Sequence, residues 1–318
     1  MVGLLECCMS PVQIAAATVE TSVSRRQSLT IKRCHGLGNV VCLLPVLARL
    51  RDQGYTIRMV IRPEWLHTFS MLMPEIYWTD RTEDDAVDLD ELTSSLQPTE
   101  HRTDELGRLL GLNPPFRSPH LVVPEAWTEP FDSLAGSIVF APEGGHPSRT
   151  WPTEKAAMLR EYLQNEKLVL IGIDPQPEIP CDQDLRGQLK LHELLGVLTV
   201  ADTVVTMDSG VLHLAAALGT PAVAIFGGVD PDFRVRQDQR VVAMQTSLDC
   251  CPCNKNEICS GRFPCVRSAE PGDVIYAIQM ARKTDKRLLY AVPAKKRPKR
   301  TYLTRSSMVI NQRSRTMA

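Results

Sequence analysis

The sequence contains no run of about 20 consecutive apolar residues, the length that a helix needs to cross a bilayer. The first 28 residues also lack the order of a secretory signal, because Arg25 and Arg26 follow the mild apolar run from Val12 to Val19 instead of preceding it. We predict an N-terminal extension, residues 1–28, of unassigned role. Ten cysteines without an export signal indicate a reducing compartment and mostly free thiols.

Acidic residues are missing from the C-terminal end. From Lys286 onward there are ten Lys or Arg and no Asp or Glu, whereas the remainder carries 26 basic and 37 acidic residues. We expect residues 284–318 to form a basic, disordered tail. Such a tail is either a solvated terminus or a contact for an anionic partner, a lipid phosphate or a nucleic acid.

The chain is organised around residues 203–227. The run from Thr203 to Met207 has the β-branched, apolar composition and the length of a buried strand. An Ala- and Leu-rich helix is predicted from Val211 to Leu218, ended by Gly219, and a second buried strand from Ala222 to Phe226. In open α/β sheets, ligands bind where such a strand ends and the helix begins.

Four residues at this turn are candidate ligand contacts: Asp208, Ser209, Gly210 and His213. A helix start presents free N–H groups and a positive dipole end, which favours a phosphate. Asp208 would repel a phosphate but can accept hydrogen bonds from sugar hydroxyls, and His213 lies about one turn into the helix. The alternative is that Asp208 is only a helix cap and His213 an ordinary surface or core histidine.

The full string from Asp208 to Pro221 reads Asp-Ser-Gly-x-x-His-x-Ala-Ala-Ala-x-Gly-x-Pro, and Phe226-Gly227 and Asp230-Pro231 follow it. It closely resembles the C-terminal signature of the ADP-heptose:lipopolysaccharide heptosyltransferases, glycosyltransferase family nine. The resemblance covers about residues 29–283. It implies an α/β fold of the GT-B type, in which two Rossmann-like domains with parallel sheets face each other across a cleft.

A second stretch agrees with the same family. A strand from Leu29 to Cys34 is followed by a turn with Gly36, Gly38 and Asn39, and by a helix from Val40 to Leu50 that contains Pro45 in its first turn or at a kink. The resemblance places the two glycines on the acceptor side. The family usually has an aspartate at position 39, thought to be the base for the acceptor hydroxyl, and an amide cannot act as a base. Asn39 therefore either positions the acceptor while another carboxylate serves, or marks an unconventional member.

The second half carries the candidate donor contacts. A strand from Ser137 to Ala141 precedes Glu143, Gly144 and Gly145, whose backbone can supply donors, and Arg149, which can neutralise a diphosphate. The family has a cation, usually lysine, at the position of Arg149, two residues before Trp-Pro. Asp174 ends the next strand and is either a ribose or adenine contact or a simple turn residue.

Strands and helices alternate in both halves, which favours parallel sheets. Prolines make residues 113–136 a stiff connector. We predict an acceptor-side domain at residues 29–125 and a nucleotide-sugar donor-binding domain at residues 136–283. The last helix, Pro271 to Lys283, is expected to cross back to the first domain, and the acidic stretch from Asp80 to Glu91 to be solvated surface.

A cysteine cluster remains: Cys250, Cys253, Cys259 and Cys265 have a spacing that also occurs in structural metal sites, although we favour free or disulfide-paired thiols. No cofactor is predicted, and no metal at the reacting centre.

The resemblance implies transfer of a heptose-like sugar from an ADP-linked donor to a saccharide or lipopolysaccharide-core hydroxyl, with inversion and without a metal. Asn39, Asp208 and Arg149 are the candidate catalytic residues. Two alternatives remain: a phage-type glycosyltransferase with another acceptor, such as a modified DNA base, or a non-catalytic nucleotide-sugar-binding homologue. We expect a cytoplasmic protein, at the inner membrane surface if it binds there peripherally.

Overall fold

The computed structural model describes residues 27–94, 96–254 and 259–293. The predicted N-terminal extension lies outside this part of the chain up to residue 26, and so does the predicted basic tail from residue 294 onward. The prediction of a disordered tail is wrong for residues 284–293, because Leu288–Val292 form a strand that pairs with residues 242–246 in the second sheet. None of the helices within the described residues combines the length and the apolarity needed to cross a membrane.

The first half forms a four-stranded parallel sheet with strand order β3-β2-β1-β4. Its strands are β1 (Ser28–Lys32), β2 (Thr56–Val60), β3 (Tyr77–Thr79) and β4 (Val87–Asp88). Its helices are α1 (Leu37–Asp52), α2 (Pro63–Leu72), α3 (Leu89–Ser94) and α4 (Arg102–Leu109).

Helix α1 begins at Leu37, three residues earlier than the predicted start at Val40. It buries most of its apolar side chains, from Val40 through Leu50. Pro45 lies in the helix interior, so the alternative that placed it in the first turn is wrong and one N–H hydrogen bond of the helix is missing there. The alternative of a kink at Pro45 stays a prediction. Burial of the apolar residues outweighs that loss.

The second half forms a seven-stranded parallel sheet with strand order β11-β10-β9-β8-β5-β6-β7. Its strands are β5 (Ile138–Ala141), β6 (Leu168–Leu170), β7 (Gln183–Asp184), β8 (Thr203–Met207), β9 (Ala222–Phe226), β10 (Val241–Thr246) and β11 (Leu288–Val292). Its helices are α5 (Thr153–Tyr162), α6 (Leu191–Val200), α7 (Gly210–Leu218), α8 (Pro264–Ser268) and α9 (Pro271–Ala281).

The predicted strand–helix–strand unit is confirmed as β8, α7 and β9. Every residue of both strands is buried, as expected for apolar runs in the middle of a sheet covered on both faces. Helix α7 ends at Gly219, which has a left-handed φ of 75°. The unit places its turn at the carboxyl edge of the sheet, between β5 and β9.

The two halves share one buried apolar cluster, because α1 of the first half packs against α7 of the second. The chain between the sheets also pairs with α7, through a hydrogen bond of 2.8 Å from Leu121 N to Ala217 O. Helix α9 packs on α5 and on strands β8, β9 and β10. The expectation that this helix crosses back to the first domain is therefore wrong.

The segment from 113 to 136 separates the strands of the two sheets and contains two short 3₁₀ helices, Glu125–Trp127 and Glu129–Leu134. The domain limits at 125 and 136 stay a prediction.

Candidate functional site

The turn between β8 and α7 presents a free helix start. Ser209 is the N-cap residue in extended conformation, and its hydroxyl lies 3.1 Å from Thr206 Oγ1. Asp208 precedes the cap, so the alternative that Asp208 is only a helix cap is wrong. The N–H groups of the first turn of α7 point to the carboxyl edge of the sheet, where an anionic group is favoured.

Arg149 lies beside this turn. It ends the 3₁₀ helix Pro147–Arg149, and its Nη1 donates a hydrogen bond of 3.2 Å to the backbone oxygen of Asp208. A Cβ placed on Gly144 would lie 2.7 Å from Arg149 Cβ, so these two residues are in close contact. The order of the strands explains the arrangement, since β5 and β8 are neighbours and the loops at their carboxyl ends meet.

Asp208 has a partner that sequence reasoning missed. Its Oδ1 lies 3.4 Å from Nε of Arg234, and the two side chains are only 5% and 12% exposed. Arg234 follows the 3₁₀ helix Pro231–Phe233 after β9. It is far from Asp208 along the chain, so the pairing of the two residues could not be predicted from the sequence. The pair reduces the repulsion that Asp208 would otherwise exert on a phosphate at α7.

His213 faces the first half of the molecule. Its Nδ1 lies 3.5 Å from Sγ of Cys42 on α1. Burial lowers the pKa of His213, but Cys42 and then Asp208 outweigh it, and the pKa of His213 is raised. Burial raises the pKa of Cys42, and the charge of His213 outweighs it, so the pKa of the thiol is lowered. His213 and Cys42 thus favour each other's charged forms, and the charge of Asp208 adds to the effect on His213.

The turn at residues 36–39 lies directly against α7. A Cβ placed on Gly38 would lie 2.3 Å from Cδ2 of His213, and one placed on Gly210 would lie 3.3 Å from Cβ of Leu37. A side chain at position 38 would force a neighbouring group to shift, and one at position 210 would require Leu37 to move slightly. The sequence predicted Gly36, Gly38, Gly210 and His213 on two separate motifs, and the structure brings these motifs together.

Asn39 is directed at its own loop. Its Nδ2 donates a hydrogen bond of 3.1 Å to the His35 backbone oxygen. A Cβ placed on Gly36 would lie 2.8 Å from Nδ2 of Asn39. Gly36 has a φ of 80°, the left-handed region that glycine adopts without strain. Asn39 thus stabilises the turn at the end of β1.

Asp90 corrects the expectation of a purely solvated acidic stretch. Its side chain is 7% exposed, and its carboxylate accepts hydrogen bonds of 2.7 Å from Cys34 N and 3.0 Å from His35 N. It reaches this position because β4 is the neighbour of β1 and α3 begins where β4 ends. Sequence reasoning missed Asp90 because β4, with two residues, is too short to leave a pattern.

Two further carboxylates lie at the other end of the site. Burial and then the charge of Asp174 raise the pKa of Glu143. Asp174 is exposed and accepts a hydrogen bond of 2.9 Å from Gln176 N, the contact of a turn residue. Both stand at the carboxyl ends of neighbouring strands, β5 and β6. Their predicted role in binding a donor stays a prediction, as does that of Gly145.

The cysteine cluster contains no disulfide among the described cysteines. In the described part of the chain, no three His, Cys, Asp or Glu side chains are grouped so that they can hold a metal ion. Residues 255–258 lie outside the description. The described positions of Cys250, Cys253, Cys259 and Cys265 therefore do not fit the alternative of a structural metal.

A protein-family model supports the resemblance that the sequence motifs indicate. The model of glycosyltransferase family 9 (heptosyltransferase) matches residues 101–261, which is just over half of the chain. This chain therefore belongs to glycosyltransferase family 9.

Three similar proteins show the extent of the likeness. Lipopolysaccharide heptosyltransferase 2 of Salmonella typhimurium is 31% identical over 103 residues, 27% of this chain and 29% of that protein. A family 9 glycosyltransferase of Veillonella parvula is similar in structure with a TM-score of 0.65 and 17% identity, over 83% of this chain and 100% of the other. The dodecameric iron-containing heptosyltransferase TibC, described from enterotoxigenic E. coli and solved with ADP-D-β-D-heptose, has a TM-score of 0.65 at 15% identity, over 83% and 78%.

The match to the curated relative thus spans less than a third of its length. The structural neighbours are too distant in sequence to show more than the fold, and that fold is the expected pair of Rossmann-like domains.

Proposed function

We propose that this chain is a glycosyltransferase that moves a heptose-like sugar from a nucleotide-sugar, ADP-heptose, to a hydroxyl of a lipopolysaccharide-core or other saccharide acceptor. The proposal includes inversion at the anomeric carbon and no metal at the reacting diphosphate. It also includes a cytoplasmic location. Family membership, the Salmonella relative and the ADP-heptose complex of TibC support the choice of donor and acceptor.

One observation is central to the proposal: Arg149, the helix start at Ser209 and the Asp208–Arg234 pair meet at one edge of the donor-side sheet. A diphosphate leaving group develops negative charge as its bond to the sugar breaks. Backbone N–H groups at a helix start, together with an arginine, stabilise such charge electrostatically, because they are fixed before the reaction begins. In this proposal they supply the charge compensation that a metal supplies elsewhere.

Asp208 has a different role in this proposal. Its carboxylate is neutralised by Arg234 and lies one residue before the N-cap of α7. From there it can accept hydrogen bonds from sugar hydroxyls, which orients the anomeric carbon toward the acceptor side. His213 supports the same region through its electrostatic interaction with Asp208 and its contact with Cys42 on α1.

The second candidate is a non-catalytic nucleotide-sugar-binding homologue. The observation that favours it is Asn39, whose amide is engaged with the His35 backbone and cannot accept a proton. A phage-type transferase acting on a modified DNA base is a third candidate, which Asn39, the short acceptor-side domain and the basic tail support; the tail lies outside the described residues.

Mass spectrometry of a turnover reaction separates these candidates. ADP-heptose is incubated with the purified full chain and either a deacylated lipopolysaccharide core or duplex DNA containing a hydroxymethylated base. The proposal expects ADP release and a core product heavier by one heptose. A glycosylated base instead would favour the phage-type alternative, and donor binding without any turnover would favour the non-catalytic one.

A further inference from the structure

The reaction proposed above needs a group that takes the proton of the acceptor hydroxyl, and position 39 does not provide one. Asn39 uses its amide to hold the turn, with Nδ2 3.1 Å from the His35 oxygen. The base must therefore be another group that this loop presents.

His35 is the residue that the turn exposes. It follows β1 at the carboxyl edge of the first sheet, three residues before Gly38, which contacts His213 of α7. Its side chain is 82% exposed, and its Nδ1 lies 3.5 Å from Oδ2 of Asp90. One ring nitrogen thus faces a carboxylate, and Nε2 remains available on the exposed side of the ring.

Asp90 is unsuited to act as the base itself. Both of its oxygens already accept backbone N–H bonds, from Cys34 and His35, and its side chain is only 7% exposed. Nη1 of Arg33 lies 3.3 Å from Oδ1 and also donates to Leu89 O, which ties the start of α3 to the end of β1. A carboxylate fixed in this way can orient a neighbouring imidazole, but it is poorly placed to accept a proton from an incoming hydroxyl.

We infer that His35 is the general base of the transfer reaction and that Asp90 is its positioning residue. The inference rests on the proposed function. The acceptor oxygen forms a bond to the anomeric carbon while its proton passes to Nε2 of His35. The bond between the anomeric carbon and the diphosphate oxygen breaks, and its electron pair leaves with the nucleoside diphosphate. The Nδ1–H of the resulting imidazolium faces Asp90, and the proton is later released to water.

This arrangement resembles other sites in which a carboxylate selects the tautomer of a catalytic histidine. The charged and titratable groups around the turn are Asp90 and Asp88 from the β4–α3 side, Lys32, Arg33 and Cys34 from β1 and its end, and Arg62 after β2. Across the turn stand His213 and Asp208 of the second half.

The test uses the full chain with ADP-heptose and the core acceptor, and it follows kcat against pH for the wild type, His35→Gln and Asp90→Asn. We expect the wild-type kcat to fall on the acidic side as one group protonates. His35→Gln should lower kcat by about 10²–10⁴-fold and abolish this acidic limb. Asp90→Asn should lower kcat less and keep an acidic limb. His120→Gln, an exposed histidine on the connector, should match the wild type.

Donor binding is followed in the same samples, by the rise of Tm with ADP. Because His35 is exposed, we expect His35→Gln to bind ADP as the wild type does. Free imidazole should restore part of the activity of His35→Ala.

The outcomes separate the two claims. Turnover by the wild type with unchanged kcat and pH profile in His35→Gln would overturn the inference and leave the proposed function standing. Absence of turnover by the wild type would overturn the proposed function, and the inference with it.

Discussion

At the scale of single residues, the site depends on charged side chains that are held by one another. Asp208 pairs with Arg234, Arg149 contacts the Asp208 backbone, and His213 contacts Cys42. Each group has a partner across a turn, so removal of one leaves a partly buried charge behind. Substitutions here are expected to affect stability as well as activity, and binding must be measured beside Tm.

His101 gives a prediction that does not depend on the reaction. It is buried at the N-cap of α4, and burial, then the charge of Arg236, lower its pKa from 6.5 to about 3. Between these two values the unfolded chain binds a proton that the native state does not. The free energy of unfolding therefore falls as the pH falls from 6.5 toward 3, by up to about 1.4 kcal/mol per pH unit.

His101→Asn removes this titration and keeps a side-chain acceptor for the Thr103 N–H. Urea denaturation between pH 6.5 and 4 should show a shallower loss of stability in this variant than in the wild type. His120→Asn, on an exposed histidine, should keep the wild-type slope. Equal slopes for wild type and His101→Asn would refute the pKa argument.

At the scale of elements, two helix starts from different halves face each other, because α1 and α7 pack together and their first residues meet at the glycines. The strand–helix–strand unit at 203–226 was predictable, since its strands are buried apolar runs and its helix ends at a glycine. Arg149 beside Asp208 followed from the family motif. Arg234 and Asp90 were not predictable, because each reaches the site through the order of strands in a sheet.

The contact between these helix starts is tested with Gly38→Ala. The added methyl group would lie 2.3 Å from Cδ2 of His213, so the turn or α7 must move. We expect a loss of about 1–3 kcal/mol in the free energy of unfolding, together with reduced turnover. Gly272→Ala, in α9, is the matched control, since nothing lies within 4 Å of its added methyl group. Gly38→Ala with unchanged Tm and activity would contradict the close approach.

At the scale of the whole molecule, the two halves are joined by polar contacts as well as by the shared core. Nη2 of Arg236 donates a hydrogen bond of 2.7 Å to Asp104 Oδ1, and these side chains are 17% and 14% exposed. Ser118 and Asp238 form a second contact between the connector and the second half. The relative position of the two sheets, and with it the alignment of His35 with the donor site, depends on such contacts.

A double-mutant cycle on Asp104→Asn and Arg236→Gln measures this connection. We expect a coupling free energy of about 0.5–3 kcal/mol, since the pair is largely removed from water. The pair Arg62–Glu64, with both side chains more than half exposed, should give only about 0–1 kcal/mol. A coupling no larger than that of the exposed pair would show that Asp104 and Arg236 do not hold the halves together.

The central claim is that the helix start at Ser209 and the side chain of Arg149 bind the diphosphate of a nucleotide-sugar. The most direct measurement is the Tm of the purified chain as a function of ADP-heptose concentration, with ADP and with UDP-, GDP- and CMP-sugars for comparison. Ligand binding to the native state should raise its stability, by about 2.7 kcal/mol at 100 times Kd.

The account predicts a concentration-dependent rise of Tm with ADP-heptose, largely lost in Arg149→Ala and retained in Arg51→Ala at the far end of α1. A Tm that none of these nucleotides or nucleotide-sugars changes, or an Arg149→Ala variant that responds as the wild type does, would contradict it.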